Sequence, residues 1–218
     1  MSGALERLPA IEIPGHESSG LGSDDHPMRI MTRRAAGLDP AGWDDAARAE
    51  TASYFDALAS EWHTRTSPAR DAVVADALQR GVVGATEGTC VELGSGIGAY
   101  TPLLAARWPR VLAVEVSLEM LHRAPRHPGH RVLADGARLP LADGVVAAIV
   151  LVNCFLFPAE VDRVLAPDGL LVWVNSSGAE TPIHLPAADV QAALPGSWAG
   201  VESRAGVGLW AVLRRSSS

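Results

Sequence analysis

The sequence predicts an α/β fold: a doubly wound, mostly parallel sheet with an N-terminal helical lid and a C-terminal antiparallel hairpin. From residue 88 onward, short runs rich in β-branched residues alternate with helical stretches, which is typical of parallel strands joined by crossover helices. The run 145–152 is apolar without alternation, which indicates a strand buried on both faces. The last two runs, 200–204 and 208–213, are separated by three residues, which is too few for a parallel crossover, so we expect a hairpin.

The division of the chain follows from where these patterns begin and end. The first segment, 1–40, has neither a helical nor a strand period, and we expect a flexible arm to which we assign no chemistry. The rest of the chain, 41–218, is predicted to be a single domain. Its parts are a helical lid, a cofactor-binding core, and a C-terminal substrate side with the hairpin, at 41–82, 83–175 and 176–218.

Two helices are predicted in the lid. The first begins at Asp44 and carries apolar residues at three- and four-residue steps as far as Trp62. The second begins at Ser67, a good N-cap followed by proline, and ends at Gly81. Together they supply the apolar surface that could close over the core.

The core alternates strands and helices in the order expected for a parallel sheet. The predicted strands are 89–93, 110–116, 131–134, 146–153 and 169–175. The predicted helices are 99–108, 118–123 and 159–165, with a further short helix at 187–194.

Composition limits the partners of the protein. The formal net charge is −7, and all 18 basic residues are arginine. Binding to a phosphate backbone depends on clustered cations, so this acidic chain is not expected to bind nucleic acid. The absence of lysine excludes a Schiff-base lysine and the lysine of a phosphate-binding loop. The apolar stretch 145–157 is interrupted by Asn153 and is shorter than the ~20 residues of a membrane helix, so no membrane partner is expected either.

Cysteine usage and the N-terminal residues indicate the compartment. Cys90 and Cys154 lie in apolar stretches, and a pair is too few for a disulfide framework or a four-cysteine zinc site, so we expect no metal. The first residues lack the basic start and apolar run of a secretory signal. We therefore expect a cytoplasmic protein, and the abundance of Ala, Gly, Pro and Arg suggests a bacterial source with a GC-rich genome.

A glycine-rich segment at 91–98 is placed where the first core strand gives way to a helix. Gly94, Gly96 and Gly98 let the backbone turn tightly and let a ligand lie against bare main chain. The same residues also satisfy the dinucleotide-binding pattern, so this segment alone does not choose between a nicotinamide dinucleotide and another nucleoside cofactor.

Carboxylates at successive strands narrow that choice. Glu92 lies on the first core strand, Glu115 ends the second, and Asp135 follows the third. Ligands of such sheets bind outside the carboxyl ends of the strands, and a crevice lined with carboxylates suits a cationic ligand better than a pyrophosphate. S-adenosylmethionine carries a sulfonium, an ammonium and two ribose hydroxyls, and it has no phosphate.

Four motifs in order carry a family resemblance, at 91–98, 114–117, 134–144 and 163–170. The chain resembles the class I S-adenosylmethionine-dependent methyltransferases, with their Rossmann-like fold, and is similar to the small-molecule enzymes of ubiquinone and menaquinone biosynthesis. The resemblance implies that Glu92 and the glycines hold the methionine end of the cofactor, Glu115 the ribose, Asp135 the adenine, and that Asn153 faces the sulfonium. The cofactor-binding residues it implies are Tyr54, Glu92, Gly94, Ser95, Gly96, Gly98, Glu115, Val116, Asp135, Gly136 and Asn153.

The chain departs from the family pattern in two places. Ala147 stands where an aspartate usually precedes the core of the fourth strand, so we expect this strand to be aligned differently. The segment from Asn153 to Arg163 is short, which leaves the substrate pocket open or closed by the N-terminal helices. Cys154 follows the fourth strand, as the nucleophile of cytosine-C5 methyltransferases does, but the preceding proline is absent and we interpret this cysteine as part of the core.

Several functions remain open at this point. His63 and His184 are the candidate general bases, because a neutral imidazole can take a proton from a hydroxyl or amine. The favoured function is methyl transfer to a small-molecule acceptor, apolar or aromatic, in bacterial secondary metabolism. The alternatives are an S-adenosylmethionine-binding module without methyl transfer and an NAD-dependent oxidoreductase. The expected partner is the acceptor, and a homodimer is left open.

Overall fold

The computed structural model describes residues 3–17, 26–84, 86–126 and 129–216. Within these residues, eight strands form one sheet in the order β1-β7-β8-β6-β5-β2-β3-β4. The strands are β1 (Leu5–Arg7), β2 (Thr89–Leu93), β3 (Arg110–Glu115), β4 (His130–Leu133), β5 (Val146–Val152), β6 (Leu165–Asn175), β7 (Trp198–Ala205) and β8 (Gly208–Arg215). The helices are α1 (Pro27–Ala35), α2 (Asp45–Leu58), α3 (Pro68–Asp76), α4 (Thr101–Ala105), α5 (Leu118–Arg123), α6 (Pro158–Val164) and α7 (Ala187–Ala193).

The sheet has the predicted class and connectivity. Strands β2 to β6 are mutually parallel, and β2 pairs with β3 on one side and β5 on the other. The order of connections reverses between β2 and β5, which opens a crevice at their carboxyl ends. β7 and β8 form the predicted antiparallel hairpin, in which Ala205 pairs with Gly208. The pairing of β5 with β6 shifts register between Val146 and Ala148, at Ala147, the residue that differs from the family pattern.

Capping residues set the starts of the two lid helices. The Asp44 carboxylate accepts the Ala47 amide at 2.8 Å, and the Ser67 hydroxyl accepts the Arg70 amide at 3.3 Å. Trp62 lies beyond the end of α2, in a 3₁₀ turn (Trp62–Arg65). α3 continues into a π-helical turn, Ala77–Gly81, whose last residue packs so closely on β8 that an added Cβ would lie 2.5 Å from the Val212 side chain.

The helix predicted after the glycine-rich segment is shorter than expected. It was predicted over 99–108 and extends over Thr101–Ala105. The glycine turn runs on to Tyr100 before the helix begins, and the backbone tightens at the other end, where the Arg107 amide donates to the Leu104 carbonyl at 2.9 Å.

The segment 1–40 contains regular structure, so the prediction of a flexible arm was wrong for its described residues. β1 pairs in parallel with β7, with Leu5 opposite Gly200. The helix α1 buries Met28 and Met31 in the same hydrophobic cluster as the sheet. A three-residue strand is too short to show alternation, whereas the four buried positions of α1 do have helical spacing, hidden among three arginines.

The core lies on both faces of the sheet. Trp173, Trp198 and Trp210 are its largest fully buried side chains. Both cysteines are buried with free thiols, as predicted for core residues. Among the described residues, none of the helices has the length and apolar character required to span a bilayer.

Candidate functional site

A cavity of about 770 Å³ opens at the carboxyl ends of β2, β3 and β5. Its floor is the glycine-rich turn and the strand ends, and its other walls come from α2, the 3₁₀ turn, the start of α3 and the segment after β6. Of the predicted cofactor-binding residues, it is lined by Tyr54, Glu92, Gly94, Ser95, Gly96, Glu115, Val116, Asp135, Gly136 and Asn153. Gly98 is not among the lining residues. The topology therefore brings together nearly the whole predicted set.

The glycine-rich turn needs its glycines for two different reasons. Gly94 and Gly96 have φ angles of 69° and 54°, in the left-handed region that side chains disfavour. A Cβ on Gly94 would also lie 2.4 Å from the Cys154 sulfur, so this cysteine packs against the turn. A Cβ on Gly96 would lie 3.3 Å from the indole nitrogen of Trp62, so that indole lies directly over the turn.

Glu115 is held by the backbone around it. Its carboxylate accepts the amides of Gly96 at 2.8 Å and of Val116 and Ser117 at 2.9 Å each. Burial raises the pKa of this carboxyl, and the three amide donors oppose that shift. A carboxylate offers about four acceptor positions, so acceptor capacity remains for a ligand hydroxyl.

Asp135 has one satisfied oxygen and one orphaned oxygen. Its Oδ1 accepts the Trp43 indole N–H at 3.2 Å and the Ala137 amide at 2.9 Å. Its Oδ2 is buried and has no hydrogen-bond partner among the described residues. A buried acceptor of this kind is costly unless it is satisfied, and Asp135 lines the cavity, so a donor on a bound ligand fits here.

An aromatic wall formed by Trp43, Phe155 and Phe157 stands beside Asp135, and no pattern in the sequence predicted that Trp43 belongs to it. The Trp43 ring packs edge-on against Phe157, with ring centroids 5.0 Å apart, and tilted against Phe155 at 5.6 Å. Gly136 is needed here, because a Cβ on it would lie 2.5 Å from the Phe157 ring. These flat side chains suit a planar ring such as a nucleobase.

Glu92 lies at the bottom of the cavity and is 2% exposed. Burial raises its pKa to about 8, the hydrogen bond that its carboxylate accepts from the Thr101 hydroxyl opposes the shift, and the negative charge of Glu115 adds to it. The side chain is therefore mostly protonated at neutral pH, and a cation bound nearby would favour its ionised form.

Asn153 has an unusual backbone and a fully engaged side chain. Its φ of 50° is the only positive value among the described non-glycine residues. Its amide nitrogen donates to the Ser176 hydroxyl and its amide oxygen accepts the Ser176 backbone N–H, both at 2.8 Å. Asn153 lines the cavity as predicted, but its amide joins the ends of β5 and β6, so a contact with the sulfonium would have to compete with Ser176.

Three aromatic residues cover the cavity from the lid side. The rings of Tyr54 and Phe55 are 5.4 Å apart, and those of Phe55 and Trp62 are 5.6 Å apart, both in edge-to-face contact. The Asp56 carboxylate on the same helix accepts the Ser117 hydroxyl and, at 3.1 Å, the Glu119 amide. α2 is therefore anchored to the start of α5, and the aromatic cover is fixed at that end.

The structure does not support either predicted general base. His63 is exposed in the 3₁₀ turn and does not line the cavity. His184 lies behind the wall with its Nδ1 2.8 Å from the Asn175 side-chain oxygen, and burial together with the charge of Arg29 lowers its pKa. Spacing along the chain could not reveal that the His63 side chain is exposed, or that the Nδ1 of His184 is engaged by the Asn175 side chain.

Two other histidines line the cavity, and the sequence analysis missed both. Neither ring nitrogen of His16 has a hydrogen-bond partner among the described residues, although both are buried. His26 caps α1, since its Nδ1 accepts the Met28 amide at 3.1 Å, and burial together with Arg29 lowers its pKa. Both lie in the segment to which we assigned no chemistry. Among the described residues, no group of histidine, cysteine and acidic side chains could hold a metal ion.

Comparison with known proteins agrees with this geometry. Residues 91–173 match the family described as a methyltransferase domain. A curated protein of Micromonospora griseorubida, whose name proposes 23S rRNA (guanine-N(1)-)-methyltransferase activity, is 31% identical over 173 residues. That alignment covers 76% of this chain, and the chain spans 58% of the relative's length.

Solved structures share the fold. The complex of DhpI with S-adenosylhomocysteine superimposes with a TM-score of 0.60 at 22% identity, covering 78% of this chain and 98% of DhpI. A methyltransferase structure from Methanococcus maripaludis gives a TM-score of 0.57 at 18% identity, covering 78% of this chain and 94% of that one. Residues 91–173 are therefore similar to a methyltransferase domain, and the solved structures show the fold of the chain. The likeness to the quinone-biosynthesis enzymes stays a prediction.

Proposed function

We propose that the protein binds S-adenosylmethionine in the cavity and transfers its methyl group to a small-molecule acceptor. The observation that carries this proposal is the convergence of three strand-end carboxylates, Glu92, Glu115 and Asp135, on one cavity floored by a bare glycine turn. A cationic nucleoside suits these groups better than a pyrophosphate does, because none of the three side chains offers a pyrophosphate a positive charge.

Each carboxylate has a distinct task in this proposal. The orphaned Oδ2 of Asp135, beside the aromatic wall of Trp43, would accept a hydrogen bond from the adenine amino group. The remaining acceptor capacity of Glu115 would hold the ribose hydroxyls. Glu92, once ionised, would face the positive charges of the methionine end.

The cofactor supplies a methyl group on a positively charged sulfur, which is already activated for transfer. The chain's task is therefore positioning and the exclusion of water. Tyr54, Phe55 and Trp62 cover the cavity with apolar surface. Their mutual edge-to-face contacts keep that cover together.

A second candidate is methylation of ribosomal RNA, and the Micromonospora relative favours it. The net charge of −7 and the absence of lysine weigh against it, since affinity for RNA depends on clustered cations. A cytoplasmic location, a bacterial source, a role in secondary metabolism and a homodimer remain part of the proposal. Light scattering of the purified protein tests the last of these.

Titration calorimetry tests the cofactor. We expect S-adenosylmethionine and S-adenosylhomocysteine to bind and NAD to give no heat. Asp135→Asn is expected to lower the affinity for both adenosyl ligands, because the substitution replaces one acceptor oxygen with a donor. Binding of NAD without a response to the adenosyl ligands would overturn the proposal in favour of an oxidoreductase.

Transfer of a labelled methyl group then separates the remaining functions. Label appearing in a fraction of small metabolites supports the proposal, and label appearing in 23S rRNA favours the second candidate. Tight cofactor binding with no transfer to either would indicate a binding module.

A further inference from the structure

Two arginines line the cavity on the segment that joins α2 to α3. Arg65 lies in the 3₁₀ turn, and Arg70 lies in the first turn of α3. The Arg65 guanidinium stacks over the Trp62 ring, 5.4 Å from its centroid, and Arg70 donates to the Arg65 carbonyl. These contacts fix where the two side chains lie, and they neutralise neither charge.

The two arginines lack the carboxylate partners that other arginines of this protein have. Arg123, Arg163 and Arg215 each form an ion pair with an acidic side chain. Among the described residues, no carboxylate forms such a pair with Arg65 or Arg70. Two unpaired guanidinium groups at one cavity wall make a place where an anion is stabilised.

This wall adjoins the glycine-rich turn. The Trp62 indole on which Arg65 stacks also lies over Gly96. A Cβ on Gly96 would lie 3.3 Å from the indole nitrogen. The charge of Arg70 also acts on Tyr100, the residue that follows the turn, where it opposes the rise that burial causes in the tyrosine pKa. The charge of Glu92 acts on the same tyrosine, so Arg70 and Glu92 lie around Tyr100, and Arg65 lies on the neighbouring indole over the glycine turn.

We propose that Arg65 and Arg70 form an anion subsite that binds a carboxylate. Resting on the proposed function, the first source of that carboxylate is the amino-acid end of the cofactor. That end carries an ammonium and a carboxylate side by side, so Glu92 and the arginine pair would complement its two charges. The second source is an acidic group on the methyl acceptor, which has the same chemistry.

Titration calorimetry on the full chain separates the two sources. The first pair of probes is S-adenosylhomocysteine and its decarboxylated analogue. The second is benzoate and benzamide, added to the complex with S-adenosylhomocysteine. The variants are Arg65→Gln, Arg70→Gln and the double variant, with Arg126→Gln as the matched control, because Arg126 is exposed and does not line the cavity.

If the cofactor is the source, wild-type protein and the Arg126→Gln control bind S-adenosylhomocysteine at least about tenfold more tightly than the analogue. The double variant loses that preference and keeps its affinity for the analogue. If the acceptor is the source, the wild-type complex with S-adenosylhomocysteine binds benzoate more tightly than benzamide. The double variant binds the two equally.

The subsite is refuted if wild-type protein binds S-adenosylhomocysteine no more tightly than its decarboxylated analogue and benzoate no more tightly than benzamide. It is equally refuted if the double variant retains the preference, or if it weakens both members of a pair equally, as a general structural defect would. Arg65→Gln alone, at an exposed position, gives the same readout should the double variant fail to fold. A wild-type protein that binds no adenosyl ligand refutes the proposed function instead, and benzoate against benzamide on the free protein then decides the subsite.

Discussion

The protonation of Glu92 connects the stability of the free protein with ligand binding. Its pKa is raised from 4.5 to about 8 in the folded protein. A group whose pKa is raised on folding contributes stability that is fully present below its unfolded pKa and is lost as the pH rises through the folded one. We therefore expect the melting temperature of the free protein to fall between about pH 5 and pH 8, and Glu92→Gln to flatten that fall. Identical profiles for both proteins would contradict the assigned shift.

Ligand binding should reverse that protonation. A cationic ligand near Glu92 lowers its pKa, so binding of S-adenosylmethionine at neutral pH is expected to release up to one proton. Calorimetry in two buffers with different ionisation enthalpies measures this number directly. Glu92→Gln is the control, and the same proton release from this variant would show that another group is responsible.

Glu115 has a structural task in addition to the one implied by its position. Glu115→Ala is expected to weaken cofactor binding at least about tenfold, which corresponds to ~1.4 kcal/mol. It also leaves the amides of Gly96, Val116 and Ser117 without their acceptor, so it should destabilise the fold, at roughly 1–3 kcal/mol for each amide that water does not reach. Glu115→Gln keeps an acceptor and is the better probe of the ribose contact. An unchanged dissociation constant in a folded variant would argue against that contact.

The unpartnered nitrogens of His16 predict an unusual response to mutation. Burying polar atoms without hydrogen bonds is unfavourable, so His16→Leu should leave the stability of the free protein unchanged or increased. Thermal denaturation in the absence of ligands measures this effect. A clear loss of stability would mean that the imidazole makes a favourable contact in the free protein.

At the scale of elements, the anchoring of α2 limits a closing motion of the lid to the turn Trp62–Arg65 that follows this helix. Asp56 ties α2 to the start of α5, whereas the turn Trp62–Arg65 buries no residue. We expect hydrogen exchange in the turn to slow when S-adenosylhomocysteine binds, and exchange in α2 to stay unchanged. Equal exchange in the turn with and without the ligand would refute a closing motion there.

The segment 1–40 was expected to be a flexible arm without chemistry, and the structure changes that expectation. α1 brings Met28 and its cap His26 to the cavity wall, and β1 covers the edge of β7. We now expect removal of this segment to lower both the melting temperature and the affinity for S-adenosylmethionine. Calorimetry on the truncated protein tests this, and an affinity equal to that of the full chain would restore the original view.

Elements with their own local signals could be predicted closely. β2 and α5 have the predicted bounds, because Ser117 caps α5 and the glycine-rich turn ends β2. β6 was predicted to begin at 169 and begins at Leu165, since its early pairing with Val146 depends on the neighbouring strand. Boundaries set by tertiary contacts have no counterpart in the local sequence.

For the whole molecule, the same distinction explains which parts of the site could be predicted. The strand-end carboxylates were predictable because parallel topology alone brings the ends of β2, β3 and β4 to one crevice. The histidines were not, since the surroundings of His63 and His16 depend on how segments distant in sequence pack. The surroundings of Asp135 likewise depend on Trp43, which is 92 residues away and donates its indole N–H to Oδ1.

The pairing of β1 with β7 has a consequence for the way the protein is made. Leu5 has no partner until Gly200 has been synthesised, since the two lie opposite each other in the sheet. On the ribosome, the chain between them emerges first, and domains fold as they emerge at about 5–20 residues per second. The cavity wall that contains Met28 follows β1 in the chain. A nascent chain that already has its glycine turn and carboxylates would therefore hold an incomplete pocket, and competence to bind ligand would arrive only after β7 has been synthesised.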